Sequence, residues 1–440
     1  MHHIVIIGGG AGGLELATRL GNWCRRGRHG SEISVTLVDR QTSHIWKPLL
    51  HEVAAGTLDS TIHALDYAAQ AHWHGFEFRQ GTFSGLDRTL RVIHLDEVMD
   101  EDGRPLFPPR DLHYDILVIA VGSVTNFFGT PGAQENTFAL DTVYEANRFH
   151  RSLMTACARA EQPGKPPEGR KVRIAIVGGG ATGVELAAQL RQTAHTLATY
   201  GVHQLDPARD IAITVVEAAP RILSTLPERV SQAATGLLAK YGVDVACGEL
   251  VAEVTRDGLR TRAGNFIPAD LMVWAAGIKA PAFLGTLDDL PVGRLGQLLV
   301  RPTLQTELDD AIFAMGDCAQ CLWQEPATWV PPRAQAAHQE ASFLTRAIVW
   351  RLTNGPALTV PTFHYKDFGS LVSLGKLGAA GSLMGGLIGG RMFVDGIVAK
   401  LMYLSLYRMH TIALHGWWRT TLDVLAHLLR RTISPKVKLH

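Results

Sequence analysis

Glycines at 8, 10 and 13 have the spacing that holds a phosphate. They follow the apolar run HIVIIG and precede LELATRL, which reads as strand, tight turn and helix. Glycine allows the turn and lets the backbone approach a pyrophosphate closely. The helix start then offers amide donors and the positive end of its dipole. Asp39 ends the next apolar segment, SVTLVD, 26 residues after Gly13. A carboxylate there can accept both ribose hydroxyls. A loop over residues 21–30 absorbs the excess over the usual ~20-residue gap. Glycines alone would fit a plain tight turn; strand, helix and acid together favour dinucleotide binding.

The pattern returns at Gly178, Gly180 and Gly183, after KVRIAIVG and before VELAAQL. Its strand-end acid is Glu217, 34 residues after Gly183, with an insertion over residues 197–210. Glu217 repels a 2′-phosphate and so favours NADH over NADPH. Arg221 argues the other way, because a nearby Arg can hold that phosphate. The carboxylate weighs more because it sits at the strand end. Two dinucleotide sites imply two dinucleotides. A bound FAD with an exchangeable nicotinamide cofactor makes a hydride relay, whereas two NADs give no obvious chemistry. The segment IFAMGDCA at 312–319 resembles the strand ending in Gly-Asp of two-dinucleotide flavoproteins, which implies FAD with Asp317 near the ribitol hydroxyls and flavin phosphates. Asp317 could equally cap a following helix, and the two roles are compatible.

These sites need elements to position them. DILVIA at 115–120, ITVVE at 213–217 and LMVWA at 271–275 read as buried parallel strands. EQPGKPPEGR at 161–170 reads as a loop after a helix that runs to about Ala160. The chain has 440 residues, enough for two or three domains. The expected class is α/β, with two Rossmann-like dinucleotide-binding domains and a C-terminal amphipathic membrane-anchoring region. Residues 1–145 are expected to begin the FAD-binding domain, 146–301 to form the NADH-binding domain, 302–374 to complete the first, and 375–440 to form the membrane-association region.

Composition excludes other classes. Lys plus Arg number 42 against 41 acidic residues, which argues against a nucleic-acid binder. The 5 cysteines are scattered and odd in number, so they are no secreted disulfide framework. Four clustered thiolates would be needed for a typical iron–sulfur centre. Cys318 and Cys321 form C-x-x-C, but a zinc site would need two more ligands. They read as buried or helix-start residues. His72 and His74 lack partners at metal spacing, so no metal is expected. No signal peptide and no transmembrane helix are expected, since no run of 18 apolar residues occurs.

The chain resembles the type II NADH:quinone oxidoreductases, close to the respiratory NADH dehydrogenases of enterobacterial type, over essentially its whole length. Besides both glycine fingerprints, the resemblance rests on HIWKPLLHE at 44–52, WAAGI at 274–278, IFAMGDCA, PPRAQAAHQ at 331–339, LMYLSLYRMHTIALHG at 401–416 and the final ISPKVKLH. The glycine motifs are widely shared; the glutamine segment and the tail are more specific. The resemblance implies hydride transfer from NADH to FAD, then two electrons to a membrane quinone, ubiquinone or menaquinone, without proton pumping. It carries cofactor contacts onto Ala11, Gly12, Arg40 and Lys47, and onto Ala276, Gly277, Ala334 and Gln335.

Gln335 and Gln339 are four apart and share a helix face. Their amides can donate to a quinone carbonyl, and Ala334, Ala336 and Ala337 leave room for a flat ring. Spacing alone favours an ordinary polar surface face. With the resemblance, which places this segment beside the flavin at the quinone entrance, the quinone site is favoured. Glu185 sits in the first turn after the second fingerprint. The resemblance places it near nicotinamide and flavin, in substrate binding or protonation; otherwise it is a first-turn Glu favoured by the helix dipole. Disulfide reductases carry a redox Cys pair soon after the first acid, and residues 44–56 hold none. The alternatives are a sulfide:quinone or ferredoxin-type reductase of the same fold, and a redox-sensing flavoprotein without turnover.

The tail mixes apolar residues (Leu401, Met409, Ile412, Leu414) with basic and aromatic ones (Lys400, Arg408, Trp417, Trp418, Arg419). Arg430, Arg431, Lys436 and Lys438 follow, and Asp423 is the one acid after Asp395. Such helices lie in the bilayer surface and attract anionic lipid. The expected place is the cytoplasmic face of the cell inner membrane, as a peripheral protein. A packed homodimer helix pair is compatible with the same pattern.

Overall fold

The computed structural model describes residues 2–27, 32–100, 102–160, 172–200, 206–324, 328–355, 360–374, 379–385, 390–430 and 437–438, with backbone alone at 324, 370–371, 379–385, 390–407, 423 and 427–430. The loop read at 161–170, the side chains of Lys400 and Leu401, and Arg430, Arg431 and Lys436 lie outside the described residues or side chains.

In chain order, the elements that position the site begin with β1 (His2–Ile7), α1 (Ala11–Arg26), β2 (Ile33–Asp39), α2 (Leu50–Ala55), β3 (Glu77–Gln80), β4 (Ile116–Ile119), α3 (Val143–Ala160), β5 (Val172–Val177) and α4 (Ala181–Thr199). There follow β6 (Ile211–Glu217), β7 (Val243–Cys247), β8 (Leu271–Trp274), β9 (Ile312–Ala314), α5 (Ala334–Asn354), β10 (Gly369–Ser373), β11 (Ala379–Gly385), β12 (Gly390–Asp395) and α6 (Gly396–Arg430).

The chain divides into two compact units. One comprises Met1–Trp46, Ala64–Val124 and Ile278–Lys366. Its centre is a parallel sheet in the order β9-β4-β1-β2-β3. Ile4, Ile6, Leu37, Leu117 and Ile312 are all fully buried. Such near-continuous apolar strands are what a sheet covered on both faces requires. Helices α1 and α5 pack on each other. Their approach is close at Gly12: a Cβ there would lie 2.4 Å from Met315 Cε and 3.2 Å from Ala337 Cβ.

The other unit comprises Lys47–His63, Thr125–Gly277 and Asp367–His440. Its parallel sheet runs β7-β6-β5-β8, with Ile176, Ile213, Val215 and Val273 fully buried. Helix α2 packs against α3 and α4. The region expected at 375–440 to associate with the membrane opens on strands: β11 and β12 join β10 in an antiparallel sheet. Glycine is a weak strand former, which hides this pairing from propensity. Helix α6 follows and is broken at Gly416, whose φ of 76° is non-helical. Among the described residues no helix is long and apolar enough to cross a membrane.

Candidate active site

The two glycine turns repeat atom for atom. In the first, Gly8 N–H donates to Val38 O at 2.8 Å and Gly9 N–H to Asp39 Oδ2 at 2.6 Å. In the second, Gly178 N–H donates to Val216 O at 2.8 Å and Gly179 N–H to Glu217 Oε2 at 2.6 Å. A Cβ on Gly13 would lie 1.9 Å from Gly8 O, and one on Gly183 2.0 Å from Gly178 O, so helix and turn touch only because both are glycine. Gly10 and Gly180 precede α1 and α4 without side-chain caps, and a Cβ on either would meet nothing within 4 Å. Uncapped helix starts that face open space fit a pyrophosphate at both places. In the first turn, His44 Nδ1 and the Tyr67 hydroxyl hold Gly9 O at 2.9 and 2.7 Å.

Asp317 lies half-buried in a short turn that leads into a strand, so no helix follows for it to cap. Ser123 Oγ donates to its Oδ2 at 2.8 Å, and Gln297 Nε2 to its carbonyl at 2.9 Å. Lys47 pairs with Asp141 at 3.0 Å. Arg40 is exposed beside the first acid. Arg221 donates to the carbonyls of Leu223, Ser224 and Leu226 at 3.1, 2.7 and 2.9 Å. It therefore braces the loop after Glu217.

Gln335 and Gln339 stand in the first turns of α5, with Ala334 opening the helix. Gln339 is held by one backbone residue: its Nε2 donates to Lys366 O at 2.9 Å and its Oε1 accepts from Lys366 N at 3.0 Å. Ala336 and Ala337 are buried, and Ala337 meets Gly12 rather than open space. The smallness of Ala337 is thus set by the approach of α1; of the three alanines only Ala334 is half-exposed.

Glu185, on α4, is 6 % exposed. Its Oε1 accepts from Ser373 N at 2.8 Å, and its Oε2 lies 3.6 Å from His51 Nδ1 on α2. Burial, opposed by the Ser373 hydrogen bond and reinforced by the Glu52 charge, pushes its carboxyl up to about 8.

Comparison with known proteins places these features. The pyridine nucleotide-disulphide oxidoreductase family matches residues 2–341. The type II NADH:quinone oxidoreductase of Haemophilus influenzae is 42% identical over 452 residues, covering 100% of both chains. The chain belongs to the type II NADH:quinone oxidoreductases of the pyridine nucleotide-disulphide oxidoreductase family. A Mycobacterium tuberculosis enzyme of the same description is 26% identical, covering 93% of this chain and 84% of its own. A Plasmodium falciparum NDH2 structure in complex with NADH shares the fold, at TM-score 0.82 and 18% identity, over 99% of this chain and 100% of that one.

Members of a disulphide oxidoreductase family need not use thiols. Cys318 and Cys321 are buried, and burial pushes both thiols up to about 12, which leaves no thiolate nucleophile at neutral pH. Among the described residues no group of His, Cys, Asp and Glu could hold a metal ion.

Sequence reasoning missed several side chains that hold the site. His51 was visible only as part of HIWKPLLHE. Glu340, buried on α5, accepts from Gly316 N–H at 2.6 Å, and burial raises its carboxyl to about 7. It ties the glutamine helix to the turn that carries Asp317. Nothing in local spacing signals either residue.

Proposed function

We propose that this chain is a respiratory NADH:quinone oxidoreductase that works with bound FAD, without proton pumping. The observation that carries the proposal is the duplicated cradle, two uncapped helix starts each beside a strand-end carboxylate. The family adds the reaction class.

In this reading Gly8, Gly10, Ala11, Gly12, Gly13, Asp39 and Arg40 hold the adenosine and pyrophosphate of FAD. Asp317 receives ribitol hydroxyls, and Ala334 and Gln335 line the remainder. When bound, the flavin supplies the two-electron chemistry that joins a hydride donor to a quinone. Gly178, Gly180 and Gly183 receive the pyrophosphate of NADH, and Glu217 its adenosine ribose. Ala276 and Gly277 border the same crevice. Gln335 donates to a quinone carbonyl, and Gln339 contributes the amide hydrogen that Lys366 does not take while fixing the loop at 366. Glu185 holds a proton at neutral pH and is the proposed proton donor.

The quinone is a membrane one, ubiquinone or menaquinone, so the protein meets the bilayer. Support comes from α6, whose outer face is apolar. Met409, Ile412, Trp417, Trp418, Leu422 and Leu425 are exposed while His410, Thr411 and Thr420 are buried. Exposed apolar side chains on a helix with Arg408 and Arg419 suit the headgroup boundary, with anionic lipid as partner. The proposed place is the cytoplasmic face of the inner membrane. A homodimer through the same region is the second partner proposed. Steady-state oxidation of NADH with a soluble quinone tests the reading; no turnover by FAD-loaded protein rejects it.

A further inference from the structure

Phe128 occupies a backbone conformation that side chains of its kind avoid. Its φ is 53°, in the left-handed region, and its side chain is 65% exposed. An aromatic residue there is held at a cost in backbone strain. The neighbours that impose it are specific. Asn126 Oδ1 accepts Phe128 N–H at 3.0 Å, and Asn126 N–H donates to Gly277 O at 3.2 Å. Trp274 Nε1 donates to Asn126 O at 2.9 Å, and Phe127 turns inward onto the Trp274 ring with centroids 5.9 Å apart. Phe128 is thereby turned outward over Gly277. A Cβ on Gly277 would lie 2.5 Å from Phe128 Cζ.

The sheet order says what passes this point. Strand β5 ends in the Gly178 turn, β6 ends at Glu217 on one side of it, and β8 leads into Ala275 and Gly277 on the other. The turn and the β8 end are in contact, since a Cβ on Gly178 would sit 2.7 Å from Ala275 O. A dinucleotide laid across the carboxyl ends of these strands puts its pyrophosphate at the start of α4. With its adenosine ribose at Glu217, its other half falls over β8, at Gly277 and Phe128. We propose that Phe128 is a positioning residue for the nicotinamide–ribose half of the cofactor, its ring covering that half against water. The inference rests on the nucleotide-site reading above. The strained conformation is retained because it aims the ring, and an aromatic contact is worth enough to affect affinity.

The test separates the two halves of the cofactor. FAD-loaded wild-type, Phe128→Ala, Phe128→Tyr and Phe128→Gly proteins are titrated calorimetrically with NAD+ and with ADP, which lacks both nicotinamide and its ribose. In Phe128→Ala the NAD+ affinity should fall about tenfold while ADP affinity stays level. Phe128→Tyr should keep both. Phe128→Gly should lose NAD+ affinity as Ala does yet melt higher than Phe128→Ala, because glycine accepts the left-handed conformation. Unchanged NAD+ affinity in Phe128→Ala, or equal losses for both ligands, overturns the proposal. Absence of ADP binding to the wild type would instead reject the nucleotide site itself, and this inference with it.

Discussion

His51 and Glu185 face each other at 3.6 Å as neutral groups. Burial holds the imidazole down to about 4 and the carboxyl up to about 8. At pH 7 the pair is a carboxylic acid beside an uncharged ring, so an ion pair is the wrong description despite the proximity. The distance also exceeds a hydrogen bond. The acid is held instead by Ser373 N–H, and the buried Nε2 of His51 has no hydrogen-bond partner among the described residues.

This gives stability a pH dependence of definite sign. Glu185 titrates near 4.5 when unfolded and near 8 when folded. Its contribution is therefore complete below about pH 4.5 and is lost as pH rises to about 8. By neutral pH the loss is on the order of 3 kcal/mol, at about 1.4 kcal/mol per pH unit. Glu185→Gln keeps the shape without the proton. Its Tm should gain on the wild type steadily from about pH 5 to about pH 8. Parallel Tm curves over that range would contradict the buried acid.

In the proposed reading, donor preference follows from Glu217. Glu217→Gln should narrow the kcat/KM gap between NADH and NADPH, because a 2′-phosphate no longer meets a carboxylate. Arg221→Ala should leave that ratio alone and lower Tm, since its guanidinium is engaged by three loop carbonyls. A collapse of NADPH activity in Arg221→Ala would mean that the Arg serves the phosphate after all.

Both fingerprints and both strand-end acids were legible because each depends on residues close in sequence. The turn at Asp317 was legible as a turn, though not that a strand follows it. The competition between Glu217 and Arg221 was not decidable from spacing, because it turns on where one guanidinium points. His51 and Glu185 belong to helices far apart in the chain and meet only through the packing of α2 on α4. The chain end was read as a membrane feature. Yet Val437 is buried, and Lys438 N–H donates to Gly56 O at 2.8 Å while His150 Nε2 lies 3.0 Å from Lys438 O. No periodicity announces such a backbone clasp.

The two glutamines should separate in stopped-flow measurements. Gln335→Leu should slow flavin reoxidation by quinone about tenfold or more, from loss of a hydrogen bond to the acceptor, and leave reduction by NADH intact. Gln339→Leu should slow it less and also lower Tm, because it frees the backbone of Lys366. Normal reoxidation in both variants would remove the segment from the quinone site.

Membrane attachment should depend on the apolar face of α6. Each exposed apolar side chain that enters the boundary adds ~1.5–3 kcal/mol, and each basic residue ~1 kcal/mol that falls with salt. High salt alone should release little protein, whereas detergent should release it. Changing Trp417, Trp418 and Leu422 together to Ser should abolish vesicle binding and activity with long-chain quinone, while short-chain turnover persists. These substitutions spare the clasp at Lys438, which a truncation would destroy. Undiminished vesicle binding would refute the assignment.

The central claim is a two-step electron path from NADH to quinone through one bound flavin. Its most direct test is the absorbance spectrum of the purified protein under anaerobic conditions, first with NADH and then with quinone. The account predicts a yellow flavin spectrum that one equivalent of NADH bleaches and one equivalent of quinone restores. A protein that folds but takes up no FAD, or a reduced flavin that quinone leaves bleached, would contradict it.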